Sequence, residues 1–271
     1  MSLPAASADR TCLVTGASSG IGVEIARQLA ARGRGVTLVA RREDRLRALA
    51  DELAAAHDVR AEVVAADLSD QASRQRIADQ VADRGLSVDV LVNNAGLGTT
   101  GPVHTSDPAR EVAMIRTDVE AVAELCSTFV PGMVERGSGA VLNVASTAAF
   151  QPLPGQAGYG ACKAFVLSYS QALRVEVAKA GVTVTVLCPG PVETEFGAAA
   201  GFTADETAGA LPRFMWLSPE AVAAAAVDGL DRGRGVVVPG VANRIGALGG
   251  RLAPRRLLLP VIARQHPALH R

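Results

Sequence analysis

Residues 11–22 read TCLVTGASSGIG: a short apolar run, a turn holding three glycines, and the opening of an amphipathic stretch. The run at 11–15 has the length and β-branched content of a buried strand, and the pattern over 21–32 has a helical period. A turn between such a strand and such a helix can bring backbone N–H groups against phosphate, where the helix dipole favours negative charge. Gly16, Gly20 and Gly22 suit that task, because a Cβ would hold a pyrophosphate away or block helix–sheet packing. Together with Ser18, Ser19 and Ile21 they are candidate contacts of a dinucleotide. A turn with no ligand would use glycine as well; the strand before and the helix after favour the dinucleotide site.

The same alternation runs outward along the chain. GVTLVA (35–40), AEVVAA (61–66), VDVLVN (88–93), AVLNVA (140–145), VTVTVLC (182–188) and GVVVP (235–239) read as further buried strands. Amphipathic segments lie near 43–56, 70–84, 110–136, 157–180 and 218–230. Strands alternating with helices predict one doubly wound α/β domain, a parallel sheet with helices on both faces.

Composition narrows the function classes. The 271 residues carry 27 basic and 27 acidic side chains, a balance that argues against nucleic acid as the main partner. Aromatics are 3% of a chain that is 49% hydrophobic, so the core has to be built from Ala, Val and Leu. The start, MSLPAASADRTCLV, lacks the basic flank and apolar run of a signal peptide, and no run of 18 apolar residues exists to span a membrane; a cytoplasmic protein is expected. Cys12, Cys126, Cys162 and Cys188 show no CxxC spacing and are expected to be reduced and buried. His266 and His270 stand four apart, but Pro267 follows the first and no acid is near, so no metal site is expected.

Enzymes that use NAD carry an acid at the end of the second strand, bonded to the ribose 2′-OH. Here LVARRED places Arg41 and Arg42 directly after that strand end. A guanidinium fork meets phosphate oxygens bidentately, so the expected cofactor is NADP(H) rather than NAD. In the alternative, the arginines are solvated and Glu43 and Asp44 serve the ribose, although those acids suit the first turn of the next helix. A second pattern lies at 158–165, GYGACKAF: the chain has only two tyrosines and two lysines, yet Tyr159 and Lys163 fall one helical turn apart.

TGASSGIG, NNAG (93–96), NVAS (143–146), YGACK (159–163) and PGPVET (189–194) occur in the order and spacing of the short-chain dehydrogenases/reductases, which the chain resembles over about residues 10–240. The resemblance implies a Rossmann-type fold with a seven-stranded parallel sheet, and hydride transfer between NAD(P) and a carbonyl or alcohol. LVARRE resembles the NADP-preferring members. A phenol titrates near 10; Lys163, with the positive charge of oxidised nicotinamide, would favour phenolate and bring Tyr159 toward working pH as acid–base group. By the same resemblance Lys163 bonds the nicotinamide ribose, and Ser146 donates to the substrate oxygen. Asp67 and Leu68 match the adenine contacts, with a helix cap as the competing role for Asp67. Asn94, Ala95 and Gly96 match the adenosine ribose wall, whereas Asn93 is expected to tie neighbouring strands. Pro189, Gly190, Val192 and Thr194 match the loop that holds the carboxamide.

One position departs from the family. The register puts Asp118 where relatives carry a catalytic asparagine, whose backbone carbonyl helps to hold a proton-relaying water. A carboxylate there would oppose the effect of Lys163 on Tyr159.

After Thr194, a segment without regular pattern (about 195–217) holds four of the nine aromatics, Phe196, Phe202, Phe214 and Trp216. It reads as a lid over an apolar pocket whose other wall is Leu97, Ala148, Ala149 and Phe150, or else as ordinary packing. A steroid-like, fatty-acyl, retinoid-like or xenobiotic ketone or aldehyde is the expected substrate. Reduction of a 3-oxoacyl group on a carrier protein, and a non-catalytic NADP-binding sensor or scaffold, are the alternatives. Residues 241–271 form a C-terminal extension with six Arg and no acids. Contact with an anionic membrane surface, packing on another subunit and disorder are its open readings. A homodimer or homotetramer through the two long helices is expected by analogy with the family.

Overall fold

The computed structural model describes residues 3–203, 205–206, 211–265 and 269. His266 and His270, and lid positions 204 and 207–210, lie outside the described residues. Seven strands, β1 (Arg10–Thr15), β2 (Val36–Ala40), β3 (Ala61–Ala65), β4 (Ser87–Asn93), β5 (Gly139–Val144), β6 (Val182–Leu187) and β7 (Val236–Val237), pair in the order β3-β2-β1-β4-β5-β6-β7. Every pairing is parallel. The seven sequence runs all become strands. The last shortens to two residues, Val236 and Val237.

The valine-rich runs form strands because both faces of the sheet are covered. On one face α1 (Gly20–Ala30), α2 (Glu43–His57) and α8 (Pro219–Asp231) pack Ile25, Leu29, Leu46 and Val227 against Val14, Val90 and Leu142. On the other, α3 (Gln71–Ala82), α5 (Ala121–Glu135) and α6 (Ala157–Val177) pack Ile77, Leu125 and Val166 against Leu13, Leu91 and Val141. Caps start the helices where the sequence allows. Asp70 accepts from the Ser73 amide at α3, and Ser218 from the Ala221 amide at α8, which has Pro219 in its first turn.

The amphipathic segment near 110–136 is not one regular helix. α4 (Pro108–Ile115) passes into a π-helical turn, Arg116–Glu120, before α5 begins. The wider turn carries one extra residue and places Thr117 and Asp118 on the buried side. The chain beyond 240 forms α9 (Val241–Leu252) and α10 (Arg255–Gln265). α9 lies against the sheet's carboxyl edge through Asn243, whose amide donates to the carbonyls of Met215 (3.0 Å) and Pro239 (3.2 Å). No described helix is long and apolar enough to cross a membrane.

Strand order reverses direction between β1 and β4, so their carboxyl ends diverge and leave a crevice. The glycine turn opens from β1, NNAG from β4, Ser146 from β5 and PGPVET from β6.

Candidate active site

The glycine turn is built for close approach. A Cβ on Gly16 (φ +67°) would sit 2.8 Å from the Ala95 Cα; one on Gly22 would sit 2.4 Å from both Asn94 Nδ2 and the Gly16 carbonyl. Asn94 donates through Nδ2 to the Thr15 carbonyl (2.9 Å), and the Thr15 hydroxyl accepts from the amides of Asn94 and Ala95, 3.0 Å each. NNAG is thereby locked beneath the turn. Asn93 bonds Asn143 (2.9 Å), which bonds the Ser170 hydroxyl (2.9 Å), tying β4 to β5 and α6 as the sequence suggested.

Ser19 is the N-cap of α1 but its side chain makes no capping bond, and no acid occupies the first turn. The first amides of α1 thus face the crevice with no side chain to satisfy them, which fits an anionic ligand. A cavity of about 780 Å³ borders this turn, lined by Ser19, Gly20, Arg45, Thr194, Glu195 and Trp216 among others.

Arg42 donates through Nε to the Ser18 hydroxyl (3.1 Å), so one guanidinium overhangs the glycine turn. The same group pairs with Glu195 (2.9 Å), which also takes Arg45 (2.9 Å). Arg41 is exposed. The arginines are therefore not equivalent: Arg42 is held at the turn. Asp67 accepts from the amide (2.9 Å) and hydroxyl (2.8 Å) of Ser69. The helix cap is Asp70, which removes the competing role for Asp67.

The catalytic candidates converge. Ser146 ends the strand-five segment and accepts the Ala148 amide at 3.1 Å, leaving its proton to donate outward. Its hydroxyl lies beside the Tyr159 phenol and favours the phenolate form. Lys163 Nζ lies 5.7 Å from the Tyr159 ring centre and donates to the Val144 carbonyl at 3.2 Å. Its charge is met by Asp118 Oδ2 at 2.9 Å, while Asp118 Oδ1 accepts the Leu97 amide at 2.7 Å. The side chain of Asp118, not only its backbone, enters the site.

Electrostatics here differ from the simple expectation. Burial pushes the Tyr159 phenol above its ordinary value; Lys163 and Ser146 pull it down, and Asp118 pushes it further up. The protein alone leaves this phenol protonated at neutral pH. Burial would lower Lys163, but the Asp118 carboxylate, together with Tyr159 and Cys162, outweighs this and keeps the ammonium charged. Burial also raises the Asp118 carboxyl, against the pull of Lys163.

Of the lid aromatics, Phe196 packs on Tyr159 with ring centres 5.6 Å apart, whereas Phe214 is 75% exposed. The segment after Thr194 starts in a short helix, α7 (Phe196–Ala200), and a Val192–Leu217 bridge joins the chain on either side of it. The four cysteines are free and buried, and burial lifts Cys12, Cys126 and Cys188 to about 12 and Cys162 to about 11, so none is a ready nucleophile. Among the described residues no cluster of His, Cys, Asp or Glu could hold a metal ion.

The short chain dehydrogenase pattern matches residues 10–203, which contain the turn, the Ser–Tyr–Lys group and the loop at 189–194. The chain belongs to the short-chain dehydrogenase family. It is 38% identical over 186 residues to sulfoacetaldehyde reductase 2 of Chromohalobacter salexigens, covering 68% of this chain and 73% of that one. The matched region spans 62% and 73% of the first two curated relatives. A short-chain dehydrogenase from Sphingobium yanoikuyae, solved with NADPH, superposes with a TM-score of 0.79 at 34% identity over 93% of this chain and 95% of that one. The bulky-bulky ketone specific alcohol dehydrogenase of Comamonas testosteroni gives 0.75 at 30% identity over 92% and 93%.

This short-chain dehydrogenase also holds residues that sequence reading missed. Glu195 is 153 residues from Arg42, and no local pattern announces their pairing. Asn243 stands against Gly190, where an added Cβ would come within 2.3 Å of its Oδ1. Only the folded chain brings the last helices to that loop.

Proposed function

We propose that this short-chain dehydrogenase is an NADP(H)-dependent oxidoreductase that transfers hydride between nicotinamide and the carbonyl or alcohol of an apolar substrate, with Tyr159 as acid–base group. One observation carries the reading: Ser146, Tyr159 and Lys163 meet at the carboxyl edge of the sheet, beside an uncapped helix N-terminus. The uncapped amides of α1 and the glycine turn would hold the pyrophosphate, Arg42 the 2′-phosphate and Asp67 the adenine. Gly190, Val192 and Thr194 would border the carboxamide. When bound, the cofactor supplies the hydride and, oxidised, a positive charge near the phenol.

The side chains then divide the work. Tyr159 gives its proton to the carbonyl oxygen as negative charge gathers there, or takes it from the alcohol in reverse. Ser146 donates a hydrogen bond to the same oxygen. Lys163, kept charged by Asp118, favours the phenolate left behind. Phe196 lays an apolar ring against Tyr159, which suits a lipophilic ketone. NADPH bound to the Sphingobium protein and the bulky ketone of the Comamonas enzyme support this reading; the sulfoacetaldehyde reductase, named for a charged substrate, cautions that relatives differ in pocket chemistry. Assembly as a homodimer or homotetramer through α5 and α6 belongs to the same reading.

The test is NADPH oxidation by purified protein across lipophilic ketones and small polar aldehydes, beside Tyr159→Phe. Turnover of lipophilic ketones that disappears in the variant is expected. Much faster turnover of small polar aldehydes overturns the apolar pocket; tight NADPH binding with no oxidation across the panel favours a sensor. Reduction of 3-oxoacyl groups on a carrier protein is the second reading. It draws on Arg255, which donates to the Phe150 carbonyl (3.1 Å) and so places a basic group beside the site.

A further inference from the structure

α9 is amphipathic in the inverted sense. Its inward face is small: Asn243, Ala247 and Gly250 are buried. Its outward face is large and apolar, with Val241 70%, Ile245 67%, Leu248 58% and Leu252 70% exposed. At 3.6 residues per turn these four fall within an arc of about 60°. The stripe continues on α10, where Leu257 is 63% and Val261 49% exposed. A soluble helix ordinarily turns such residues to the core. Arginines accompany the stripe: Arg244, Arg251, Arg255, Arg256 and Arg264 lie within 241–265, where no acid occurs.

We propose that the outward face of α9 and α10 is a docking surface for an anionic lipid bilayer. Large aliphatics would enter the acyl boundary, while arginine stems lie along apolar surface with their charges at headgroup phosphates. Charge selects this occupant. A second copy meeting this face symmetrically would bring arginines against arginines with no carboxylate on either side to offset them. An acidic protein would match the arginines but would leave six exposed aliphatics on two successive helices to be covered by a partner rich in both acid and apolar groups. A bilayer supplies both at once. The face also adjoins the site: Arg255 donates to the carbonyls of Gly250 (2.7 Å) and Phe150 (3.1 Å), and Phe150 follows Ser146 by four residues. A docked chain would hold that loop near the lipid, where an apolar substrate partitions.

Flotation of the full-length protein with vesicles of phosphatidylcholine alone, or with phosphatidylglycerol added, tests the assignment. Binding to the anionic vesicles, weakened by salt, is expected. Ile245→Ser with Leu248→Ser, and separately Arg251→Glu with Arg256→Glu, should each lower partitioning roughly tenfold or more. Neither pair lies in the proposed catalytic group, so unchanged circular dichroism and NADPH affinity show that the fold survives. Absence of vesicle binding overturns the proposal, as does binding that ignores lipid charge. A dimer that both substitutions dissociate, with no vesicle binding, gives the face to a second copy; selective binding of an acidic carrier protein with no vesicle binding gives it to that partner. Because flotation reads no turnover, failure here is separable from failure of the proposed reaction.

Discussion

Tyr159 feels influences of both signs, and its chemistry follows from which side wins. Burial and Asp118 favour the protonated phenol, Lys163 and Ser146 the phenolate, and the sum lies above the ordinary value. Carbonyl reduction, which needs the proton, should therefore be flat through neutral pH and decline only in the alkaline range. Alcohol oxidation, which needs the phenolate, should rise with pH over the same range; kcat/KM profiles in both directions check this. Tyr159→Phe should lower kcat by about 10²–10⁴ while NADPH still binds, read by fluorescence titration. Asp118→Asn removes a charge that raises Tyr159 and one that holds Lys163 charged; with Lys163 still protonated, both profiles should shift toward acid with activity kept or raised, and a large loss of turnover counts against this. The amide retains an acceptor for the Leu97 amide, so the stability cost should stay below the about 3–5 kcal/mol of deleting one partner of a buried pair. At the turn, Arg42→Ala should weaken NADPH roughly tenfold or more and NADH little, since a phosphate would lose a charge-assisted fork. Glu195→Gln should tighten NADPH only a few-fold. The pair it breaks is exposed and screened by solvent, so little is lost with it.

Between β1 and α1 the glycine turn works because backbone replaces side chain, and Gly22→Ala is the direct probe. Its Cβ would meet Asn94 and the Gly16 carbonyl, so a loss of about 1–3 kcal/mol in urea unfolding and weakened cofactor binding are expected. Such elements were readable in advance for a physical reason. Parallel strands buried on both faces must be continuous apolar runs, and VTVTVLC or VDVLVN can hardly be anything else. The π-turn at Arg116–Glu120 was not readable, because RTDVE has no composition that separates a π-turn from an α-turn. Register alone pointed to Asp118 and to a carboxylate near Lys163, but not to the 2.9 Å ion pair that the two form. The segment 195–217 was half readable in its packing alone: Phe196 does face Tyr159, but Phe214 turns to solvent.

Over the whole molecule, long-range closure is what the sequence conceals. The chain past residue 240 reads as an appendage, yet Asn243 ties α9 to both the lid's end and the edge of β7. Ending the chain at Gly240 should lower Tm by at least about 5 °C and open the segment 195–217 to protease, since buried carbonyls would lose their partner. An unchanged melt would instead make α9 a true appendage. The bridge between Val192 and Leu217 has a consequence of its own. Because both feet of the intervening stretch are clamped to each other, the entropy of closing it depends only weakly on how many residues it holds. Under the proposed function, exchanges past Phe196 and short of Leu217 would retune which molecules enter while Thr194, Glu195 and Phe196 keep their contacts, making that stretch an interchangeable cassette through which new substrate preferences can be grafted or evolve.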